Sequence, residues 1–149
     1  MTTPLAVLAN LLKEKFHNYK EMSDTKLLIT FKKLLLSFCD EIIEQFPNEG
    51  DFVILKMFID LQIPIATLMD EFNLQINRKE QKIRKMISDR NDDFFVNENP
   101  FTFVSNDRVN RLSALWQDES MHSDDKDVIW QWIDSFVKVC DKYTAATQS

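Results

Sequence analysis

Apolar residues recur at three and four along nearly the whole chain, the spacing of one helix face rather than of a strand. Leu5, Leu8, Leu12, Phe16 and Tyr19, with Val7 and Leu11 beside them, predict a first amphipathic helix opened by Pro4. Ser23 or Asp24 can cap a second. Leu27, Leu28, Phe31, Leu34, Leu35, Phe38, Cys39, Ile42, Ile43 and Phe46 give it a wide apolar face, and Pro47-Asn48-Glu49-Gly50 ends it with turn chemistry. Phe52, Leu55, Phe58 and Ile59 predict a third helix closed near Pro64. Ile65, Leu68, Met69, Phe72 and Ile76 predict a fourth. Residues 79–88 read as its charged continuation, with Ile83, Met86 and Ile87 on one side.

The run Asp89-Arg90-Asn91-Asp92-Asp93 breaks the pattern, and Phe94-Phe95 and a loop over 97–106 follow. Val109, Leu112, Leu115 and Trp116 predict a short helix. Ser123 reads as the cap of the last helix, with Asp124, Asp125 and Asp127 in its first turn, where the helix dipole favours negative charge. Val128, Ile129, Trp132, Ile133, Phe136, Val137, Cys140 and Tyr143 form its inward face, and the tail after Tyr143 is expected to fray. The expectation is an all-α fold: one helical domain over 1–149, a bundle of about five to seven helices, with 1–22 peripheral and the last helix docked across the second. Trp130 lies off the Trp132 stripe. It is either part of a broader buried face or an anchor for another chain, since tryptophan is enriched at interface hot spots.

Composition sharpens the fold class. A chain of 149 residues with a single glycine can hardly supply tight hairpins or phosphate-binding loops, which need positive φ or close backbone approach. The formal charge of −6 is uneven, because the whole deficit falls after Arg90. That is a poor field for nucleic acid or anionic membrane. The two cysteines, Cys39 and Cys140, sit at apolar helical positions and read as core thiols of a reducing compartment. No signal peptide is visible, and no apolar run reaches the roughly 20 residues of a membrane span.

Candidate chemistry is sparse. His17 and His122 are the only histidines and neither has a ligand cluster, so no metal is expected. Asp89, Asn91 and Asp93 imitate the start of a calcium loop, but Phe94 stands at its sixth position and Pro100 at its twelfth. No nucleophile elbow and no glycine-rich loop is present, so neither an enzyme nor a bound cofactor is expected. Arg78, Lys79, Lys82, Arg84, Lys85 and Arg90 form a basic stripe that can contact phosphates. Glu80 and Asp89 interrupt it and no aromatics interleave, which favours a solvated face or a clamp on acidic segments such as 118–127. Phe94, Phe95, Phe101, Phe103 and Trp130 are the candidate protein-binding residues, because several lie in loop sequence that a small core need not absorb.

From Phe31 to Tyr143 the order of motifs resembles a family of small, mostly uncharacterised helical proteins of large nucleocytoplasmic DNA viruses. The marks are FKKLLLSFCDEIIEQFP with its acidic turn, Pro64 followed by Phe72, Asp92-Asp93-Phe94-Phe95, and Leu115-Trp116 with Ile129-Trp130, Phe136 and Lys142-Tyr143. The chain departs from the family in the apolar Ile63-Pro64-Ile65 and in the paired Trp130-Gln131-Trp132. The resemblance implies an intracellular setting, host cytoplasm or viral factory, with packaging in the virion as one form. It carries no catalytic residues. The function expected is a non-enzymatic interaction protein or virion component, with an unidentified viral or host protein as partner and room for a homo-oligomer. The rival readings are a nucleic-acid-associated protein using the basic stripe, and a regulator that binds a host helix in a groove.

Overall fold

The computed structural model describes residue 7 and residues 23–98 and 112–148. Helix α1 spans Asp24–Gln45. Ser23 caps it, its hydroxyl accepting from the Lys26 N–H at 3.2 Å. The turn at 46–49 sends the chain back as α2, Gly50–Leu61. The two helices run antiparallel. Lys32 donates to the Asp60 carbonyl at 2.9 Å near one end of the pair, and Lys56 meets Asp40 nearer the other.

Pro64 turns the chain by 117° into α3, Ile65–Asn77. Then come α4, Lys82–Ser88, and the short α5, Asp93–Val96. Residues 112–116 are helical (α6), and α7, Ser123–Thr147, closes the described chain. No strand occurs among the described residues. The all-α expectation therefore holds.

The core forms where the two widest apolar faces meet. Helix α7 packs most extensively along α1, and α3 crosses both. Phe136 of α7 lies 6.0 Å from Phe31, 5.7 Å from Phe38 and 6.1 Å from Phe72 between ring centroids, all edge-on. Edge-on geometry suits the ring quadrupole and fills space without voids. Trp132 extends the cluster against Phe38 at 5.8 Å. Leu68, Met69, Ile76, Ile133 and Val139 are fully buried around it.

Several local readings are corrected. His122, not Ser123, caps α7, and the Asp125 carboxylate accepts from the His122 N–H at 3.0 Å. The tail expected to fray is helical to Thr147. The Thr144 and Thr147 hydroxyls bond back to the Cys140 and Tyr143 carbonyls, and Ala146 packs against the core. Phe94-Phe95, expected to follow a break in the helical pattern, lie inside a helical turn that starts at Asp93.

The largest difference lies at residues 79–81, expected to continue α3. Lys79, Glu80 and Gln81 instead take φ of 57, 55 and 73°. Left-handed backbone costs an L-residue about 1–2 kcal/mol, and here no glycine or asparagine relieves it. Tertiary contacts pin the turn. Glu98, whose side chain is mostly buried, accepts from Arg78 at 2.7 Å and from Lys79 at 2.8 Å. Arg84 donates to Asn77 across the turn at 2.7 Å. The reversal lets α4 bury Ile83, Met86 and Ile87, which a straight helix would carry away from the core.

Glycine accepts positive φ without steric cost. Glu80→Gly is therefore expected to raise unfolding free energy in urea by roughly 0.5–1 kcal/mol. A loss of about 1 kcal/mol, the cost of glycine inside an ordinary helix, would show that the turn is right-handed.

Candidate interaction surface

Three of the aromatic residues expected to face a partner, Phe94, Phe95 and Trp130, are packed inside. Phe94 is 0 % exposed, Phe95 4 % and Trp130 3 %. Phe101 and Phe103 lie outside the described residues. Helix α5 turns its phenylalanines under α6, where Phe95 stacks on Trp116 at 4.0 Å and meets Trp130 at 4.8 Å. Phe94 closes the group at 5.7 Å from Trp130. Asp92 fixes α5 against α6 by accepting from Trp116 Nε1 at 3.0 Å. Arg90 and Lys126 lie over the outer ring faces, at 5.5 Å from Trp130 and 5.0 Å from Trp116, a cation–π arrangement.

Trp130 and Trp132 therefore serve two packing surfaces of one helix. Trp132 joins the α1 cluster, and Trp130 joins the one built by α5 and α6. The correction has a physical reason. Periodicity counts one buried stripe per helix, whereas α7 is covered on two sides.

The basic stripe is largely spent within the chain. Arg84 makes a two-pronged pair with Asp141, at 2.7 and 3.2 Å. Arg90 does the same with Asp134, at 2.6 and 2.9 Å. These bonds hold both guanidinium groups above their ordinary pKa. Arg78 and Lys79 hold Glu98, and Lys85 pairs with Asp89. Lys82 is exposed, with no ion pair among the described residues. The clamp on acidic residues is present and closes on Asp134 and Asp141, with Asp127 of the 118–127 segment acting on Arg90 through space. Exposed pairs of this kind contribute little stability. Their consequence is to leave few cations for phosphates.

The surface that stands out is the outer side of α2. Its sequence, GDFVILKMFIDL, carries only Asp51, Lys56 and Asp60 as charges. Phe52 and Ile59 are buried against the core. Val53, Ile54, Met57, Phe58 and Leu61 are exposed, Met57 by 54 % and Leu61 by 69 %. At 3.6 residues per turn these five are centred roughly 170° round the helix from Phe52. A surface helix normally shows polar residues there. Phe58, expected on the inward face, is partly exposed at the edge of this stripe.

Contiguous exposed apolar surface of a few hundred Å² usually marks an interaction site. The signal was readable in the sequence, because a helix apolar on all sides needs cover on all sides.

Among the described residues no group of three or more histidine, cysteine or acidic side chains is placed to hold a metal ion. No single described helix is long and apolar enough to cross a membrane; α2 and α3 pass that test of length and composition only as a bent pair. Burial pushes the Cys39 and Cys140 thiols up to about 12. No family model, curated protein or solved structure matches the chain.

Two outcomes follow from this packing. Trp130→Ala removes a fully enclosed ring, so it should cost about 3–5 kcal/mol in urea unfolding. A cost under about 1 kcal/mol would place the ring at the surface. Both thiols should resist a disulfide reagent at pH 8 in the folded chain and react promptly in denaturant, because a raised pKa leaves almost no thiolate. One fast-reacting thiol in the native state would contradict the burial.

Proposed function

We propose that the protein is a non-enzymatic interaction component that binds a protein partner by the outward face of α2. One observation carries the reading: Val53, Ile54, Met57 and Leu61 form an exposed apolar stripe on the side of α2 turned away from Phe52 and Ile59. Burying such side chains stabilises a complex by about 25 cal/mol per Å² before the costs of association. Phe94, Phe95 and Trp130, first expected in this role, are withdrawn into the interior, so the contact surface moves to the apolar stripe of α2.

The resemblance to helical proteins of large DNA viruses supports an intracellular setting in infected cells, with incorporation into virions as one form of the same role. The paired state of Arg84 and Arg90 weighs against nucleic acid as the partner. Binding to a host regulator is compatible with the same stripe.

A photoreactive amino acid placed at position 57 tests the proposal in infected cells or virions, with position 89 as an exposed control on α4's far end. A discrete protein adduct from 57 and none from 89 is expected. Absence of any adduct from 57, or equal adducts from both, would contradict it.

A further inference from the structure

We propose that the left-handed turn at Lys79–Gln81 is a sprung hinge, latched by Glu98, that swings α4 and α5 off α7 when the latch opens. The inference is independent of the α2 stripe. It starts from a conflict between local and tertiary preference, the kind of strain that persists where a segment changes state.

The local sequence favours a straight helix. Arg78-Lys79-Glu80-Gln81-Lys82 joins α3 to α4, and all of these residues are strong helix formers. Glu80 stands four positions before Arg84, the favourable order for an ion pair on a helix. The bent form does not make that pair. Arg84 turns to Asn77 and Asp141 instead, and Glu80 is exposed with no ion pair among the described residues. Arg78 Nε is buried without a hydrogen-bond partner. Three successive positive φ angles add steric cost. A continuous helix over residues 65–88 relieves the backbone and brings Glu80 and Arg84 within reach of each other.

Two sets of contacts hold the bend. Ile83, Met86 and Ile87 are buried, and Arg84 and Arg90 pair with Asp141 and Asp134 of α7. Glu98 acts on the hinge itself. Its carboxylate bridges Arg78 at 2.7 Å and Lys79 at 2.8 Å, and its side chain is 10 % exposed. An ion pair that water scarcely reaches is screened little. The two cations are more open, at 35 and 47 %, so they rehydrate once Glu98 lets go. A bond that is shielded when made and leaves hydrated cations when broken suits a latch.

Opening has a definite consequence. The link from α4 to α5 is closed by its own hydrogen bonds, from the Asn91 N–H to the Met86 carbonyl at 2.8 Å and from the Phe94 N–H to the Asn91 carbonyl at 3.0 Å. The two helices therefore move together. Phe94 and Phe95 leave Trp130, and Asp134 and Asp141 lose their arginines. At 3.6 residues per turn, Trp130, Asp134 and Asp141 share one face of α7. The bent form masks that face and the straight form presents it.

Electron–electron double resonance on the full chain, spin-labelled through Thr67→Cys and Ser88→Cys, tests the proposal. Both positions are exposed, whereas Cys39 and Cys140 are buried. A straight helix sets the labelled positions about 32 Å apart, at 1.5 Å per residue, and the bend brings them closer. Wild type should show the shorter distance alone. Glu98→Gln keeps the shape and drops the charge, so it should add a second population at the straight-helix distance. Adding Glu80→Gly should abolish that population, because glycine favours the left-handed turn and weakens the straight helix. Only the shorter distance in Glu98→Gln would overturn the proposal, as would a long-distance population that Glu80→Gly leaves unchanged. A broad spread of distances with loss of helical circular dichroism would overturn it too, because the segment would then melt rather than straighten.

Discussion

The fold depends on Phe136. Its ring sits where α1, α3 and α7 cross, in edge-on contact with Phe31, Phe38 and Phe72. Each of those helices is amphipathic, and none can bury its apolar face alone. Their common aromatic contact fixes the spacing and leaves the remaining helices to be added on the outside. Helix α2 attaches to α1 through Phe52 and Ile59. Helices α4 and α5 attach to the other side of α7. Among the described residues the core is thus a three-helix crossing with two appendages, and the appendages differ in how completely they are covered.

On the α4–α5 side, cover is complete. Phe94, Phe95, Trp116 and Trp130 enclose one another, and Arg84 and Arg90 seal the edge by pairing with Asp141 and Asp134. The left-handed turn at Lys79–Gln81 makes this possible. It trades local backbone preference for the burial of Ile83, Met86 and Ile87. On the α2 side, the helices among the described residues cover one face. Val53, Ile54, Met57 and Leu61 point away from the core that Phe52 and Ile59 join among the described residues. That asymmetry moves the functional reading from the aromatics to the aliphatic stripe.

How much of this the sequence disclosed follows from the kind of information involved. The long helices were legible because the faces of Leu27 to Phe46 and Ile129 to Cys140 have a strong period of 3.6 residues. The turn at 46–50 and the bend at Pro64 were legible because proline and asparagine act locally. The reversal at Lys79–Gln81 was not. Lys, Glu and Gln all favour the right-handed helix, and the force that overrides them comes from Glu98 and from side chains packing on α7. The burial of Trp130 was hidden for the same reason, since its neighbours Phe94, Phe95 and Trp116 are distant in sequence. The α2 stripe was present in GDFVILKMFIDL, but reading it required knowing which side already had a core.

The central claim is that Met57 and Leu61 face outward while Phe94 and Trp130 face inward. Methyl and aromatic NMR with a soluble paramagnetic probe measures that difference directly, at a protein concentration low enough to keep the chain monomeric. The account predicts strong relaxation enhancement at the Met57 and Leu61 methyls and almost none at the Phe94 and Trp130 rings. Protection of Met57 and Leu61 equal to that of Phe94 would contradict it, because α2 would then be covered on both sides within a single chain.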